Sequence, residues 1–219
     1  MLMPLRENLP PTASQAENIG KKKLYSTSAA RNAPFILEVL SQYLPDKGKV
    51  LEIASGTGQH CTYFAEAFRN LEWQPSEINP KRLDSIQAYV EEANQVNINM
   101  PLFLDVTAEN WAKEIDTYNV IIAINIFHLI SNKEMKTLIR ESSLALKTNN
   151  YFIIYGPFMR GGELTSDQDI KFHTSLIDCD KDIGYKDDFD ILDEIEANNL
   201  SPEAIIEMPS NNLMFIAKK

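Results

Sequence analysis

The chain has 219 residues and a formal net charge of −10, from 31 acidic and 21 basic side chains. Hydrophobic residues make up 44% of it and charged residues 24%, the proportions of an ordinary globular protein, which excludes wholesale disorder. The length fits one large domain better than two. Because nucleic-acid binding depends on clustered Lys and Arg, the acidic balance favours a small-molecule substrate over a nucleic acid.

The cysteines and the start of the chain bear on the cellular compartment. Cys61 and Cys179 form neither a disulfide framework nor a cluster with metal-ligand spacing, so we expect a reducing compartment and no metal. Residues 1–11 lack the parts of a signal peptide, and no apolar run approaches the roughly 18 residues that span a bilayer. The sequence therefore predicts a cytoplasmic protein with no membrane partner and leaves its oligomeric state open.

Residues 1–24 are predicted to form an irregular leader, because they contain three prolines and no sustained apolar period. Residues 25–219 are predicted to form one domain. Its first helix is expected to begin near residues 30–32, with Ser28 as a possible cap, since Pro34 fits best in a first helical turn.

From residue 49 onward, short apolar runs alternate with amphipathic stretches, the pattern that produces βα units and a parallel sheet. The predicted strands cover residues 50–54, 71–77, 102–104, 118–126 and 151–156, and the predicted helices cover 60–68, 79–93, 131–146 and 188–197. Asn79-Pro80 is a typical helix start, and Ser131 with Glu134 has the form of a capping box. A turn at residues 148–150 is expected before the fifth strand.

The end of the chain carries information on topology. Residues 203–208 and 213–217 are separated by a four-residue turn, which is too short for a crossover helix, so they must form an antiparallel hairpin. An ordinary doubly wound nucleotide-binding fold continues in βα steps instead. The predicted fold is α/β and resembles the Rossmann-like class I methyltransferase fold: a seven-stranded, mainly parallel sheet with an antiparallel C-terminal hairpin and helices on both faces.

A candidate cofactor loop follows the first predicted strand. That strand leads directly into Ser55-Gly56-Thr57-Gly58 and then into a helix. Glycines let the main chain approach a ligand, and a helix N-terminus offers unpaired N–H groups. A G-x-G alone is common, and its alternative interpretation is a tight strand-to-helix turn.

Two neighbours of this loop separate the possible cofactors. A dinucleotide site requires a third glycine where Cys61 stands. Glu52 lies within the strand, where a buried carboxylate is costly without a cation, and the ammonium group of S-adenosylmethionine would supply one. The run looks like the methyltransferase motif E-x-G-x-G-x-G with Ala54 in place of its first glycine, which removes backbone freedom there. The predicted cofactor contacts in it are Glu52, Ala54, Ser55, Gly56 and Gly58; the alternative for Glu52 is an internal salt bridge.

Two further carboxylates end successive predicted strands. Glu77 is placed to accept hydrogen bonds from both ribose hydroxyl groups of the cofactor. Asp105 ends the third strand, where methyltransferases commonly have an acid that binds the adenine amino group. A single acid at a strand end is most often a helix cap or solvated, but these two accompany the loop at the edge where open α/β sheets bind ligands.

Several other runs carry a resemblance to a known family. They are Arg31-Asn32, Trp73-Gln74-Pro75-Ser76-Glu77, Asn125-Ile126-Phe127-His128, Tyr155-Gly156-Pro157-Phe158 and Met208-Pro209-Ser210-Asn211-Asn212. With them the chain resembles the uncharacterised methyltransferase-like twenty-six family over nearly all of its length after the leader. The resemblance implies a single methyltransferase-type domain that binds S-adenosylmethionine, and it brings no substrate with it.

The candidate catalytic residues follow the fourth strand. Methyl transfer requires in-line alignment and sometimes a base, because the sulfonium is already activated. His128 is a candidate base, and Asn125 is a candidate for positioning the substrate or the cofactor. The alternative for His128 is a histidine that packs beneath the cofactor or caps the next helix.

The substrate side is predicted from the remaining polar and aromatic residues of these runs. Its candidates are Arg31, Asn32, Tyr155 and Phe158. Arg31 suits a carboxylate or a phosphate on the substrate, and residues 157–186 are a candidate lid. The leading hypothesis is an S-adenosylmethionine-dependent methyltransferase of a small molecule. A cofactor-binding module without turnover remains an alternative, and an NAD-dependent oxidoreductase is disfavoured by Cys61 and the hairpin.

Overall fold

The structure is a computed structural model and describes residues 9, 10, 13 and 15–219, so the rest of the predicted leader lies outside the described residues. The helices are α1 (Thr27–Tyr43), α2 (Gln59–Ala67), α3 (Pro80–Ala93), α4 (Asn132–Ala145), α5 (Asp167–Cys179) and α6 (Asp188–Ala197). The strands are β1 (Glu17–Asn18), β2 (Leu24–Tyr25), β3 (Gly48–Ile53), β4 (Leu71–Glu77), β5 (Leu102–Phe103), β6 (Tyr118–Ile124), β7 (Leu146–Met159), β8 (Lys186–Asp187), β9 (Ser201–Met208) and β10 (Asn212–Lys218). None of the described helices is long and apolar enough to cross a membrane.

The main sheet has the strand order β5-β4-β3-β6-β7-β10-β9. The first five of these strands run parallel, whereas β10 is antiparallel to both of its neighbours, β7 and β9. The predicted fold is therefore confirmed, including the closing hairpin. A two-residue strand, β8, pairs with the end of β7 and adds an eighth strand beside the predicted seven.

Helices cover both faces of the sheet because its central strands are apolar on both sides. In β6, Ile121 and Ala123 pack with α4 and α6, whereas Val120, Ile122 and Ile124 pack on the other face with α1, α2 and α3. The carboxyl ends of β3 and β6 lie side by side at the point where the strand order reverses. Ligands bind outside such a switch point in open α/β sheets.

The first helix begins earlier than predicted. Ser26, not Ser28, is the N-cap, and its hydroxyl oxygen accepts a hydrogen bond from the Ala29 N–H at 3.3 Å. Pro34 consequently lies inside α1 instead of in its first turn. The helix tolerates the lost backbone hydrogen bond because its apolar face, from Ala33 to Leu40, is buried against the sheet, so that tertiary packing outweighs local preference.

Two other segments differ from the sequence prediction. The antiparallel pair β1 and β2 lies at the end of the predicted irregular leader and includes Tyr25, the first residue of the predicted domain. The pair is tied to α3, where the Ser85 hydroxyl accepts from the Leu24 N–H at 2.8 Å. The turn predicted at residues 148–150 is a bulged part of β7, in which Asn149 has a φ of 61°. The division into a leader and a domain stays a prediction.

Candidate functional site

A cavity of about 840 Å³ opens at the carboxyl edge of the sheet, beside the switch point. Most of the residues predicted for the site line it: Arg31, Asn32, Glu52, Ala54, Ser55, Gly56, Glu77, Asp105, Asn125, His128 and Tyr155. The volume lies within the range of about 300–1,000 Å³ that is usual for ligand cavities. We call the side built from Glu52, residues 54–57, Glu77 and Asp105 the cofactor half, and the side built from Arg31, Asn32, His60, His128 and Tyr155 the facing half.

Gly58 and Phe158 do not line this cavity. Gly58 caps α2 with a φ of 93°, and a Cβ there would lie 2.8 Å from the Ile86 Cα, so this glycine is required for the packing of α2 on α3. Phe158 is buried on the opposite face of β7, against Phe127 and Phe215. Residues three apart in a strand point to opposite faces, which is why Tyr155 reaches the cavity and Phe158 does not.

The glycine loop is fixed to the end of β4 by a set of short hydrogen bonds. The Ser55 N–H donates to the Ser76 carbonyl at 2.8 Å, and the Gly56 N–H donates to Glu77 Oε2 at 3.0 Å. The Ser76 hydroxyl donates in turn to the Glu52 carbonyl at 2.9 Å. The loop is therefore held in one conformation by the protein itself.

Ala54 adopts a left-handed conformation, with a φ of 50°. The methyltransferase motif has a glycine at this position, and only glycine takes such a conformation without strain between Cβ and the backbone. Asn125, at the end of the neighbouring strand, also has a positive φ of 56°, and its N–H donates to the Tyr155 carbonyl at 2.8 Å. Both strands thus turn sharply where they meet the cavity.

Glu52 is a buried carboxylate at the edge of the cavity, and its side-chain atom Oε2 has no hydrogen-bond partner among the described residues. Burial raises the pKa of Glu52 to about 7; the Ser55 hydroxyl and the Cys61 thiol oppose this rise, and the Glu77 carboxylate adds to it. The internal salt bridge considered as an alternative does not occur in the described part of the chain. An unpaired buried carboxylate is costly, and a bound cation would remove that cost.

The other two strand-end acids are held by backbone and hydroxyl groups. Glu77 Oε1 accepts from the Ile78 and Asn79 N–H groups at 2.9 and 3.1 Å. Asp105 Oδ1 accepts from the N–H and the hydroxyl of Thr107, at 3.0 and 2.6 Å. These contacts orient both carboxylates at the cavity and leave further oxygen lone pairs for a ligand.

His128 lies in a short 3₁₀ turn after β6 and is 4% exposed. Its Nδ1 has no hydrogen-bond partner among the described residues, and its ring packs edge-on against Phe172. Burial and the positive charge of Lys186 lower the pKa of His128 to about 3. The imidazole is therefore neutral at physiological pH and would be a weak base as it stands.

A hydrogen-bonded network crosses the facing half. Asn32 Oδ1 lies 2.7 Å from His60 Nε2, and the Tyr155 hydroxyl interacts with the side chains of both Asn32 and Asn212. Burial lowers the pKa of His60 to about 4 and raises the pKa of Tyr155 to about 12. His60 is not among the site residues predicted from the sequence; its place just after the glycine loop is the available signal for a role in the site.

Helix α5 and part of the predicted leader complete the wall of the facing half. Phe172 on α5 and Tyr185 line the cavity, and so do Leu9 and Ala13. The Asp169 carboxylate fixes this wall, because it accepts hydrogen bonds from the side chains of Thr165, Ser166, Tyr185 and Asn211. The predicted lid segment thus contributes to the cavity.

The described residues contain no group of three or more His, Cys, Asp or Glu side chains that could hold a metal ion. The cofactor half offers a buried carboxylate whose Oε2 has no hydrogen-bond partner among the described residues, a glycine loop held by hydrogen bonds, and two oriented carboxylates. With the strand order of the sheet, these features define the class of the protein as one with the class I methyltransferase fold.

The chain belongs to the family described as Protein of unknown function (DUF938), whose model matches residues 23–219. The solved structures that resemble it include PigF with SAH, at a TM-score of 0.74 and 15% identity over 88% of this chain and 56% of that one. An O-methyltransferase family protein from Burkholderia thailandensis matches with a TM-score of 0.72 and 14% identity, over 88% of this chain and 57% of that one. The mitomycin 7-O-methyltransferase MmcR matches with a TM-score of 0.74 and 12% identity, over 88% of this chain and 54% of that one. The chain spans a little more than half the length of these proteins.

Proposed function

We propose that this protein is an S-adenosylmethionine-dependent methyltransferase that acts on a small molecule. The observation that carries the proposal is the unpartnered Oε2 of Glu52, buried beside the glycine loop at the cavity. An orphaned buried carboxylate marks a place for a cation, and the cofactor carries an ammonium group. The resemblance to the methyltransferase-like twenty-six family and the O-methyltransferases among the similar structures point the same way.

The residues of the cofactor half fit this cofactor. Glu52 would receive its ammonium group, the Glu77 carboxylate its ribose hydroxyl groups and the Asp105 carboxylate its adenine amino group. S-adenosylmethionine would supply a methyl group already activated on a sulfonium, so that the protein has to align the accepting atom with it and exclude water. The glycine loop needs little reorganisation for this, because its own hydrogen bonds to β4 already hold it.

Asn125, directly after β6, and His128, in the facing half, would hold the accepting group. His128 is best suited to do so as a neutral hydrogen-bonding group, because its low pKa makes an imidazolium costly. A substrate whose accepting atom loses its proton easily would need no stronger base. The same low pKa favours the second candidate function, a cofactor-binding module without turnover. The cytoplasmic location and the absence of a nucleic-acid partner stay predictions.

Calorimetric titration with S-adenosylhomocysteine, abbreviated SAH, tests the cofactor. We expect binding with a dissociation constant below about 1 mM. Glu52→Gln should weaken it by roughly a hundredfold, since about 3 kcal/mol is typical when one partner of a buried charge pair is removed. Glu38→Gln, an exposed acid on α1, is the matched control and should bind normally. No binding of SAH by the wild type would contradict the proposal.

A second measurement separates the enzyme from the binding module. The protein is incubated with methyl-labelled S-adenosylmethionine and a metabolite extract, and the extract is searched for labelled products. Label in any small molecule, lost with Glu52→Gln and kept with Glu38→Gln, supports turnover. SAH binding without label transfer in extracts from several growth conditions supports the module.

A further inference from the structure

The facing half presents a positive charge that has no partner among the described residues. Arg31 on α1 is exposed, lines the cavity, and makes no ion pair or hydrogen bond in the described part of the chain. The other arginine at the cavity, Arg82, belongs to the cofactor half, where its Nη1 lies 3.5 Å from the place a Cβ on Gly56 would occupy. Arg31 is therefore the guanidinium that a ligand in the facing half would meet.

The two histidines of the facing half do not add to this charge. Burial lowers the pKa of His60 to about 4 and that of His128 to about 3, so both rings are neutral near pH 7. Glu134 also lines the cavity, but its carboxylate accepts a hydrogen bond from the Ser131 N–H at 2.6 Å in a helix cap. Among the described residues that line the facing half, Arg31 is thus the group that would recognise a charged ligand.

Aromatic rings line the same cavity as this guanidinium. Phe35 lies one helical turn after Arg31 on α1, lines the same cavity and is 44% exposed, which is high for a phenylalanine. Phe172 and Tyr185 line the cavity from α5 and from the segment after it. A mostly apolar wall with a few fixed polar groups is the usual design of a site for a small molecule.

The net charge of the protein makes a local positive group necessary for binding an anion. A formal charge of −10 repels anions at long range, so an anionic ligand requires a local positive group at its site. A planar guanidinium is the side chain best matched to a carboxylate or a phosphate, because it donates two parallel hydrogen bonds to either.

We infer that the substrate is a small aromatic anion, with its carboxylate or phosphate on Arg31 and its ring among Phe35, Phe172 and Tyr185. This inference rests on the proposed function, because it assigns the facing half to the methyl acceptor. The Asn32 and Tyr155 side chains line the same cavity and offer polar groups to such a substrate.

Titration of the protein saturated with SAH tests this assignment. The probes are benzoate, phenyl phosphate and benzamide, the last being a neutral molecule with the shape of benzoate. We expect saturable, millimolar binding of at least one anion alongside SAH, and binding of benzamide at least about tenfold weaker. The preferred anion distinguishes a carboxylate substrate from a phosphate one.

Variants assign the binding to the cavity. Arg31→Gln should weaken the preferred anion about tenfold and leave SAH and benzamide unchanged. Arg69→Gln, an exposed arginine away from the cavity, is the matched control and should change nothing. Thermal unfolding within about 2 °C of the wild type confirms that both variants fold.

The outcomes separate this inference from the proposed function. Three results would overturn the inference alone, provided that SAH binds. They are no binding of either anion at about 20 mM, binding of benzamide as tight as that of the anions, and no effect of Arg31→Gln on anion binding. An anion that displaces SAH also overturns it, because the anion would then occupy the cofactor half. Failure of SAH itself to bind overturns both.

Discussion

The two halves of the cavity are built in different ways. The cofactor half comes from the ends of three successive strands in the chain, β3, β4 and β5, and from the loop directly after β3. The facing half is assembled from residues as far apart in sequence as Asn32, His60, Tyr155 and Asn212. The first is fixed by hydrogen bonds between β3, its loop and the adjacent strand β4. The second is fixed by side-chain hydrogen bonds between helices and strands that are distant in the sequence.

The two halves also respond to pH in opposite directions. The pKa of Glu52 is raised to about 7, so its contribution to stability is fully present below the ordinary pKa of 4.5 and is lost as the pH rises through 7. The pKa values of His60 and His128 are lowered to about 4 and 3, so their contribution is present above 6.5 and is lost as the pH falls. Each buried group favours its neutral form.

The largest expected effect tests the cofactor half. The unliganded Glu52→Gln variant should be more stable than the wild type by about 3 kcal/mol at pH 8 and by less than about 1 kcal/mol at pH 5, since a pKa unit corresponds to roughly 1.4 kcal/mol. Urea unfolding at pH 5, 6.5 and 8 measures the difference. A difference that does not change with pH would disprove the elevated pKa of Glu52.

A backbone change at Gly58, directly after the loop of the cofactor half, should have an effect on stability of nearly the same size and of opposite sign. Gly58→Ala places a Cβ 2.8 Å from the Ile86 Cα at a φ of 93°, and we expect a loss of about 3 kcal/mol. Gly20→Ala has a similar φ of 91° and nothing within 4 Å, so it should lose only about 1 kcal/mol. If both variants lost the same free energy of unfolding in urea, the contact between the added Cβ and Ile86 would contribute nothing to the loss.

The next prediction addresses the facing half. Asn32→Ala removes the partner of His60 and of the Tyr155 hydroxyl, and should lower the free energy of unfolding by about 2 kcal/mol. Asn99→Ala, whose side chain bonds to Glu72 and Gln74 nearer the surface, is the control and should cost less than about 1 kcal/mol. SAH affinity should stay within about twofold of the wild type in Asn32→Ala. If Asn32→Ala weakened SAH binding as much as Glu52→Gln does, the two halves would not be separate in function.

The smallest effect concerns Ala54. Ala54→Gly relieves the strain of a φ of 50° but increases the freedom of the unfolded chain, so we expect a net gain of about 0.5 kcal/mol. Urea unfolding at pH 7 checks it. A loss of more than about 1 kcal/mol would mean that the Ala54 methyl contributes more by packing than it costs in strain.

The sequence was most informative where structure is determined locally. The bounds of β4 and α3 agree with the prediction, because Asn79-Pro80 marks the start of α3 only two residues after β4 ends. The capping box of Ser131 and Glu134 is present for the same reason. Local signals of this kind also located the glycine loop and the strand-end acids of the cofactor half.

Features that depend on tertiary packing were not predictable in this way. The rule that places Pro34 in a first turn failed because the buried face of α1 extends the helix on both sides of it. The contact between Asn32 and His60 depends on how α1 and α2 pack, which no local pattern reports. Phe158 is a different case, since strand alternation relative to Tyr155 already placed it on the other face.

The protonation of Glu52 couples cofactor binding to the release of a proton. With a pKa of about 7, this carboxyl group is roughly half protonated at neutral pH before a ligand arrives. A cation bound beside it favours the carboxylate, so binding would release part of a proton to the solvent. Calorimetric heats would then differ between buffers of different ionisation enthalpy, and acidification would weaken the affinity for the methyl donor.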